Sequence, residues 1–158
     1  MRRLPVWSLA ATLALTLGCA DPLLNGPSPA IRLSPPGEAE LVVGQAIRVL
    51  EEPGGAVAFT VTFRGVQDDS RCPEDVQCVW AGDAAVEFEV GGSATVAMVL
   101  HTPTTEIGPS TGYFGAYQVD LLELSPAPRV GAARPRPYTA RLRVTLRPLP
   151  KGPPGSPS

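Results

Sequence analysis

The chain has 158 residues, of which 44% are hydrophobic and 18% charged, and its formal net charge is −2. This slightly acidic balance excludes the basic surface that binding to nucleic acid or to an anionic membrane requires, so we expect no nucleic-acid partner. The sequence has no phosphate loop, no dinucleotide fingerprint and no Cys/His metal spacing, so we expect no cofactor and no metal ion.

The N-terminus predicts export. Residues 1–18 carry Arg2 and Arg3 directly after Met1 and continue as the apolar run Leu4–Leu17, which is shorter than the ~18–20 residues that a membrane span needs. The run ends Leu-Thr-Leu-Gly-Cys, which resembles the bacterial lipoprotein signal, with Gly18 before Cys19. The resemblance implies cleavage before Cys19 and attachment of acyl chains to it, so that the membrane is a partner. An ordinary secretory signal is the alternative.

The composition divides the rest of the chain. Residues 19–37 hold five prolines, which predicts the lipid anchor followed by an extended tether. Residues 148–158 are rich in proline, glycine and serine, which predicts a disordered tail. The range 38–147, about 110 residues, is enough for one core and one domain. We expect that domain to be monomeric and to face the periplasm from the outer membrane, if the host has one.

Apolar and polar residues alternate with a period of two, which indicates strands with one wet face. No window of twelve residues shows a helical stripe. Seven short strands with Pro/Gly turns predict a small antiparallel β-sandwich, with a small barrel as the alternative. The three strongest strands and then the four weaker ones are Val57–Arg64, Val86–Val90, Ala140–Arg147, Glu38–Val43, Gln45–Leu50, Ala94–Leu100 and Tyr117–Leu124.

One hairpin can be assigned a register. A three-residue loop at 91–93 would pair Phe88 with Val96 and Val86 with Met98, which keeps the apolar residues on one face. A two-residue turn would move one strand's apolar residues to the other face, so we expect the three-residue loop.

The stretch Asp68–Asp83 carries the strongest local signal. Cys72 and Cys78 are six positions apart in a chain predicted to be exported, which favours a disulfide between them. Closing so small a loop should stabilise the fold by only roughly 2 kcal/mol. In an extended segment Trp80 and Cys78 point to the same side, so we expect the indole to cover the disulfide and seal one end of the core.

Arg71 directly precedes this loop. Its guanidinium can pair with Asp69 or Asp83 and fix the loop against the strand that begins near Ala84. The rival hypothesis is that Arg71 is free and presented to a partner. The acidic residues of the loop suggest a solvated turn, with a calcium site as the alternative.

A second candidate surface is the predicted polar loop His101–Gly115, because loops on a rigid β-scaffold commonly bind partners. Its far end carries Tyr113 and Phe114, which an inhibitory loop could use as an apolar tip. The candidate binding residues are therefore Arg71, Trp80, Tyr113 and Phe114.

Two resemblances bear on function. Asp-Ser-Arg-Cys-Pro followed by Val-Gln-Cys-Val-Trp-Ala-Gly at Val76–Gly82 resembles a motif of uncharacterised bacterial lipoproteins of this size, over about Gly44 to Leu146. That resemblance implies export and a fold but no activity. Pro-Thr-Thr and Thr-Gly-Tyr in the second loop resemble loops of chagasin-like cysteine-protease inhibitors, which are also β-sandwiches.

The sequence does not indicate an enzyme. His101 is the only histidine and no nucleophile motif accompanies it. An enzyme would require His101 to lie beside a hydroxyl and a carboxylate in a cleft. We expect a membrane-anchored exported lipoprotein whose domain is a non-catalytic binding module with an envelope protein partner. The alternative is an inhibitor of an envelope or host hydrolase.

Overall fold

The computed structural model describes residues 30–103, 107–131 and 137–147. The signal peptide, Cys19 and the 148–158 tail lie outside these ranges, so the predictions about them stay predictions. Within the ranges no helix has the length and apolarity needed to cross a bilayer.

The described residues form nine strands in two sheets. The five-stranded sheet has the order β1-β3-β4-β5-β6 and the four-stranded sheet the order β2-β9-β8-β7. The two sheets do not join into one, so the predicted sandwich is confirmed and the alternative of a closed barrel is not. The strands are β1 Ile31–Leu33, β2 Gly37–Val42, β3 Ala46–Leu50, β4 Val57–Asp69, β5 Ala84–Gly91, β6 Thr95–His101, β7 Thr111–Phe114, β8 Tyr117–Ser125 and β9 Thr139–Leu146.

All seven predicted strands are present, and two more were missed. β1 lies in the range assigned to the tether and pairs in parallel with β3, so ordered structure begins before residue 38. β7 lies inside the range predicted as a polar loop and pairs with β8. Both strands are too short, at three and four residues, to show an alternating pattern.

The predicted register of the β5–β6 hairpin is wrong by two residues. Val90 pairs with Val96 and Phe88 pairs with Met98, so the loop is 92–94. β5 therefore continues through Gly91, where a Cβ would lie 2.4 Å from the carbonyl oxygen of Ala94. Because the shift is even, the apolar residues still share one face, as the burial argument requires.

The core lies between the two sheets and follows the alternation of the strands. The five-stranded sheet contributes three phenylalanines, Phe59, Phe63 and Phe88, each at most 1% exposed. The facing sheet contributes aliphatic side chains such as Leu121 and Leu142. Burial of each large apolar side chain contributes ~1.5–3 kcal/mol. β4, at 13 residues, extends past the core and carries the Asp68–Asp83 stretch away from it.

Candidate binding surface at the disulfide loop

Residues 70–83, here called the disulfide loop, extend the β4–β5 hairpin. The backbone N–H of Ser70 donates to the Asp83 carbonyl and that of Cys72 to the Ala81 carbonyl, both at 2.7 Å. The structure places Cys72 and Cys78 at disulfide distance, as predicted, with sulfurs 2.15 Å apart and Cα atoms 5.9 Å apart. The loop therefore has a hydrogen-bonded base and a cross-linked tip.

Gly82 closes the base of the loop. Its φ is +67°, in the left-handed region that favours glycine. A Cβ at this position would lie 1.9 Å from the carbonyl oxygen of Ser70. Any other residue would push the two sides of the base apart.

The Arg71 side chain fastens the base to the opposite sheet. Its Nε and Nη2 donate to the two carboxylate oxygens of Asp69 at 2.8 Å each. Nη1 donates to the carbonyl of Leu124 at 2.5 Å, and Nη2 also donates to the carbonyl of Pro126 at 2.8 Å. The hydroxyl of Tyr138 completes the cluster by donating to Asp69 at 2.9 Å. We call these five residues the staple.

The staple decides between the two hypotheses about Arg71. Its side chain is 12% exposed and that of Asp69 is 11% exposed, so Arg71 is not presented to a partner. Asp69, rather than Asp83, is its carboxylate partner. The staple also ties the loop to the end of β8 in the facing sheet, instead of to the strand near Ala84. This contradicts the inclusion of Arg71 among the candidate binding residues.

The charges of the staple are reflected in two pKa values. Burial raises the pKa of Asp69, but the hydrogen bonds from Arg71 and Tyr138 outweigh it and hold the pKa below its usual range. Burial and the hydrogen bond to Asp69 both raise the pKa of Tyr138. The staple therefore consists of an ionised carboxylate, a guanidinium and a neutral phenol at ordinary pH.

A second segment braces the loop nearer its tip. The N–H of Glu74 donates to the Pro128 carbonyl at 3.0 Å, and the Asp75 carboxylate accepts from the N–H of Val130 at 3.0 Å. The Arg129 guanidinium donates to the Glu74 carboxylate. These contacts link residues that lie 54 to 55 positions apart in sequence, so they restrict the tip as well as the base.

Asp83 anchors the far side of the base. It is 5% exposed, and its carboxylate accepts from the Thr102 hydroxyl at 2.9 Å and contacts His101 Nδ1 at 2.5 Å. The Thr102 hydroxyl also accepts from the N–H of Ala84 at 3.2 Å. Gly108 packs against the outer edge of the imidazole, since a Cβ there would lie 2.4 Å from Nε2. His101 and Thr102 both bind the Asp83 carboxylate, which holds the end of the disulfide loop against the end of β6.

The tip of the loop is apolar and exposed. Val79 is fully exposed at 100%, Trp80 is 78% exposed and Val76 is 46% exposed. The expectation that Trp80 seals the core is therefore wrong. That expectation required an extended backbone, but residues 77–80 are not part of a strand, so the alternation of faces does not apply.

The other two candidate residues lie at the opposite end of the sandwich. Phe114 packs inward on Phe59, at the start of β4, with ring centroids 5.0 Å apart. Tyr113 is 54% exposed, and the Arg147 guanidinium lies 4.8 Å from its ring centroid. The structure therefore separates Trp80 from Tyr113 and Phe114 instead of bringing them together.

The acidic side chains near the loop bind separate partners. Asp69 accepts from the Arg71 guanidinium, and Glu74 accepts from the Arg129 guanidinium. Asp75 accepts from the backbone N–H of Val130, and Asp83 binds His101 and Thr102. Across the described ranges no three His, Cys, Asp or Glu side chains are grouped so as to hold a metal ion.

Sequence reasoning missed Val79 and Tyr138, and it considered Asp83 as a partner of Arg71 but not of His101 and Thr102. The dipeptide Val79-Trp80 between a cysteine and a glycine was a possible signal for an apolar tip. Tyr138 lies 69 residues from Asp69, and no local pattern connects them. Comparisons with protein-family models, with curated proteins and with solved structures find no match.

Proposed function

We propose that the domain is a non-catalytic binding module of an exported, lipid-anchored protein, and that it binds an envelope protein through Val79 and Trp80. The observation that carries this proposal is that the disulfide loop is firmly held at its base while its apolar tip is exposed to solvent. The two most exposed large apolar residues of the described chain stand on a loop that a disulfide closes and that Arg71 binds to the facing sheet.

A partner that covers these two exposed side chains would gain binding free energy from their burial. Covering a large apolar side chain contributes ~1.5–3 kcal/mol, and tryptophan is among the residues that most often dominate binding energy in interfaces. The staple and the disulfide order the loop before binding, which reduces the conformational entropy lost in the complex. An ordered apolar tip is thus suited to fill a pocket.

The charges around the tip favour a protein pocket over an anionic lipid surface. Asp68 is exposed, and Glu74 and Asp75 also lie on the exposed part of the loop. Among the described residues Arg129 offsets Glu74 and Asp75 remains, so this part of the surface is acidic. A headgroup layer of negative charge would repel this surface. We infer a partner with an apolar pocket and a neutral or basic rim.

Two observations support a role without catalysis. In the part of the chain that the structure describes, no hydroxyl or thiol bonds to His101 Nε2, and Gly108 covers that edge of the ring. The Thr102 hydroxyl is held by Asp83 and Ala84, on the other side of the imidazole. Among the described residues, His101 therefore has no hydroxyl or thiol placed for activation.

The inhibitor hypothesis needs an outward apolar tip at Tyr113 and Phe114. Phe114 instead packs against Phe59, with ring centroids 5.0 Å apart, and it pairs with Tyr117 across the β7–β8 hairpin. The geometry therefore favours the disulfide loop as the contact surface.

The anchor part of the proposal rests on the sequence around Cys19. The Cys19→Ser variant should move the protein from the membrane to the soluble exported fraction. If that variant remains in the membrane fraction, the lipid anchor is wrong, while the binding role of Trp80 is still open to its own test.

The binding role is tested by cross-linked pull-downs from envelope extracts with the wild type, Trp80→Ala and Tyr113→Ala. Tyr113 is a matched control because it is an exposed aromatic residue at the other end of the sandwich. We expect one specific partner to be lost with Trp80→Ala and kept with Tyr113→Ala, with equal melting temperatures. Capture that is unchanged by Trp80→Ala would refute the proposal.

A further inference from the structure

Residues 77–80 of the disulfide loop are held to the rest of the fold by one cross-link. Among the described residues, none of these four donates or accepts a hydrogen bond, and none forms an ion pair. Packing adds little, because Val79 is fully exposed and Trp80 is 78% exposed. The bond from Cys78 to Cys72 is therefore what fixes the position of this segment between its two ends.

The two cysteines of this cross-link have different surroundings. The N–H of Cys72 donates to the Ala81 carbonyl at 2.7 Å, and its Sγ lies 3.6 Å from the carbonyl oxygen of Pro73 and 3.7 Å from that of Val76. Cys72 is half-buried, whereas Cys78 is exposed and has no such contacts among the described residues. A nucleophile from solvent therefore reaches the sulfur of Cys78 more easily than that of Cys72.

The bond can break while the rest of the loop keeps its place. Arg71 and Asp83 hold the base through contacts that do not involve either sulfur. Glu74 and Asp75 hold the first half of the loop to residues 128–130. Exposed disulfides are generally the ones that exchange with thiols, since a thiolate can reach them in the folded state. Reduction would thus act on residues 77–80 alone.

We propose that the Cys72–Cys78 disulfide is an exchange site for a dithiol reductant and that its reduction releases residues 77–80. A thiolate of the reductant attacks Sγ of Cys78, the bond to Cys72 breaks, and Cys72 leaves as a thiolate that takes up a proton. The second thiolate of the reductant then attacks its own sulfur in the mixed disulfide, and Cys78 leaves and is protonated. The reductant becomes a disulfide, so two electrons and two protons pass to the loop.

The reduced loop would keep one thiol in place and free the other. The Cys72 thiol can donate to the Pro73 or Val76 carbonyl that its sulfur already contacts. Cys78 has no acceptor of this kind, so it moves with Trp80. The consequence for binding rests on the proposed role of Trp80. A partner would have to order the released segment, which costs conformational entropy and lowers the affinity.

The release is tested by amide NMR on the mature chain carrying Cys19→Ser, which leaves only the two cysteines of the loop. The oxidised form is compared with the form reduced by dithiothreitol. We expect the order parameters of residues 77–80 to fall from about 0.85 to below about 0.6 on reduction. The amides of Ser70 and Glu74 should stay protected from exchange in both forms, because their hydrogen bonds do not involve the sulfurs.

The double variant Cys72→Ser and Cys78→Ser is the matched control, and its order parameters should equal those of the reduced chain. Equal order in the oxidised and reduced forms would overturn the proposal. A disulfide that dithiothreitol reduces only after urea has unfolded the chain would overturn it as well, since the exchange site would then be inaccessible in the folded state.

The attacked sulfur is identified with glutathione, a monothiol that stops at the mixed disulfide. After acid quenching and peptide mass spectrometry, we expect the adduct about ten times more often on Cys78 than on Cys72. An equal split, or an excess on Cys72, would contradict the assignment of Cys78 as the attacked residue.

The effect on binding is tested by adding the double serine variant to the pull-down with the wild type and Trp80→Ala, which avoids adding a reductant to the extract. We expect capture by the double variant to fall about tenfold or more. If it captures like the wild type while Trp80→Ala does not, the regulation is wrong and the binding role of Trp80 stands. If all three capture equally, the proposed function is wrong, and the order and adduct measurements decide whether the loop is an exchange site.

Discussion

Trp80 and Phe114 stand at opposite ends of the sandwich, and the fold treats them differently. Phe114 lies on a strand over the facing sheet, where its ring contacts Phe59 at a centroid distance of 5.0 Å. Trp80 follows the end of β4, beyond the core, and is 78% exposed. The comparison shows that an aromatic residue near a loop is buried or presented according to whether the other sheet reaches it.

The loop that carries Trp80 is nevertheless the better fastened of the two regions. The staple binds its base to the end of β8, Asp83 binds it to His101 and Thr102 at the end of β6, and the Cys72–Cys78 pair closes its tip. Order at this end comes from polar cross-links, whereas order at the other end comes from apolar packing. Substitutions at each end should therefore show separately how much the polar cross-links and the apolar packing stabilise the fold.

The largest effect is expected from Arg71→Ala. It would leave Asp69 partly buried with only Tyr138 as a side-chain partner, and it would unpair the carbonyls of Leu124 and Pro126. We expect a loss of about 3 kcal/mol in the free energy of unfolding, measured by urea denaturation. Arg71→Lys keeps the charge but not the forked geometry, so its loss should be smaller. A loss within 0.5 kcal/mol, the range of an ordinary surface change, would contradict the staple.

Phe114→Ala should lower the free energy of unfolding by about 2 kcal/mol, because it removes a half-buried ring from the contact with Phe59. Urea denaturation measures this loss, and amide exchange in the disulfide loop should stay unchanged. Tyr113→Ala is the control, since that ring is 54% exposed and should cost less. Equal losses for the two variants would show that Phe114 does not pack as described.

The staple also predicts how stability depends on pH. The pKa of Asp69 is below its usual range, so its contribution is present above the unfolded value of about 3.9 and is lost as pH falls through the lower folded value. The pKa of Tyr138 is raised, so its contribution is present below about 10 and is lost as pH rises through the folded value.

Urea denaturation across pH measures both limbs of this dependence. Asp69→Asn should flatten the acid limb, and Tyr138→Phe should flatten the alkaline limb. If Asp69→Asn leaves the acid limb as steep as in the wild type, another carboxylate accounts for it.

The smallest effect on stability is expected at the tip. Trp80→Ala and Val79→Ser should each change the free energy of unfolding by no more than about 0.5 kcal/mol, since both side chains are exposed. Thermal melts of the two variants beside Arg71→Ala measure the contrast between tip and base. A large loss with Trp80→Ala would mean that the indole supports the fold.

Strand positions were predictable because a half-buried strand must alternate. The same rule placed the apolar residues of β5 and β6 on one face even though the register was wrong by two residues. The position of Trp80 was not predictable, because the alternation rule fails where residues 77–80 leave the strand. The staple was only half predictable: Asp69 is two residues from Arg71, but Leu124 lies 53 residues away.

The central claim is that a fastened loop presents Trp80 to solvent, and acrylamide quenching of its fluorescence tests this most directly. The chain has two tryptophans, and Trp7 lies in the predicted signal peptide, so Trp80 is the one indole of the mature chain. We predict red-shifted emission that acrylamide quenches nearly as efficiently as that of free tryptophan, while the amides of residues 70–72 stay protected from exchange. Blue-shifted emission that resists quenching would show that Trp80 is buried and would contradict the account.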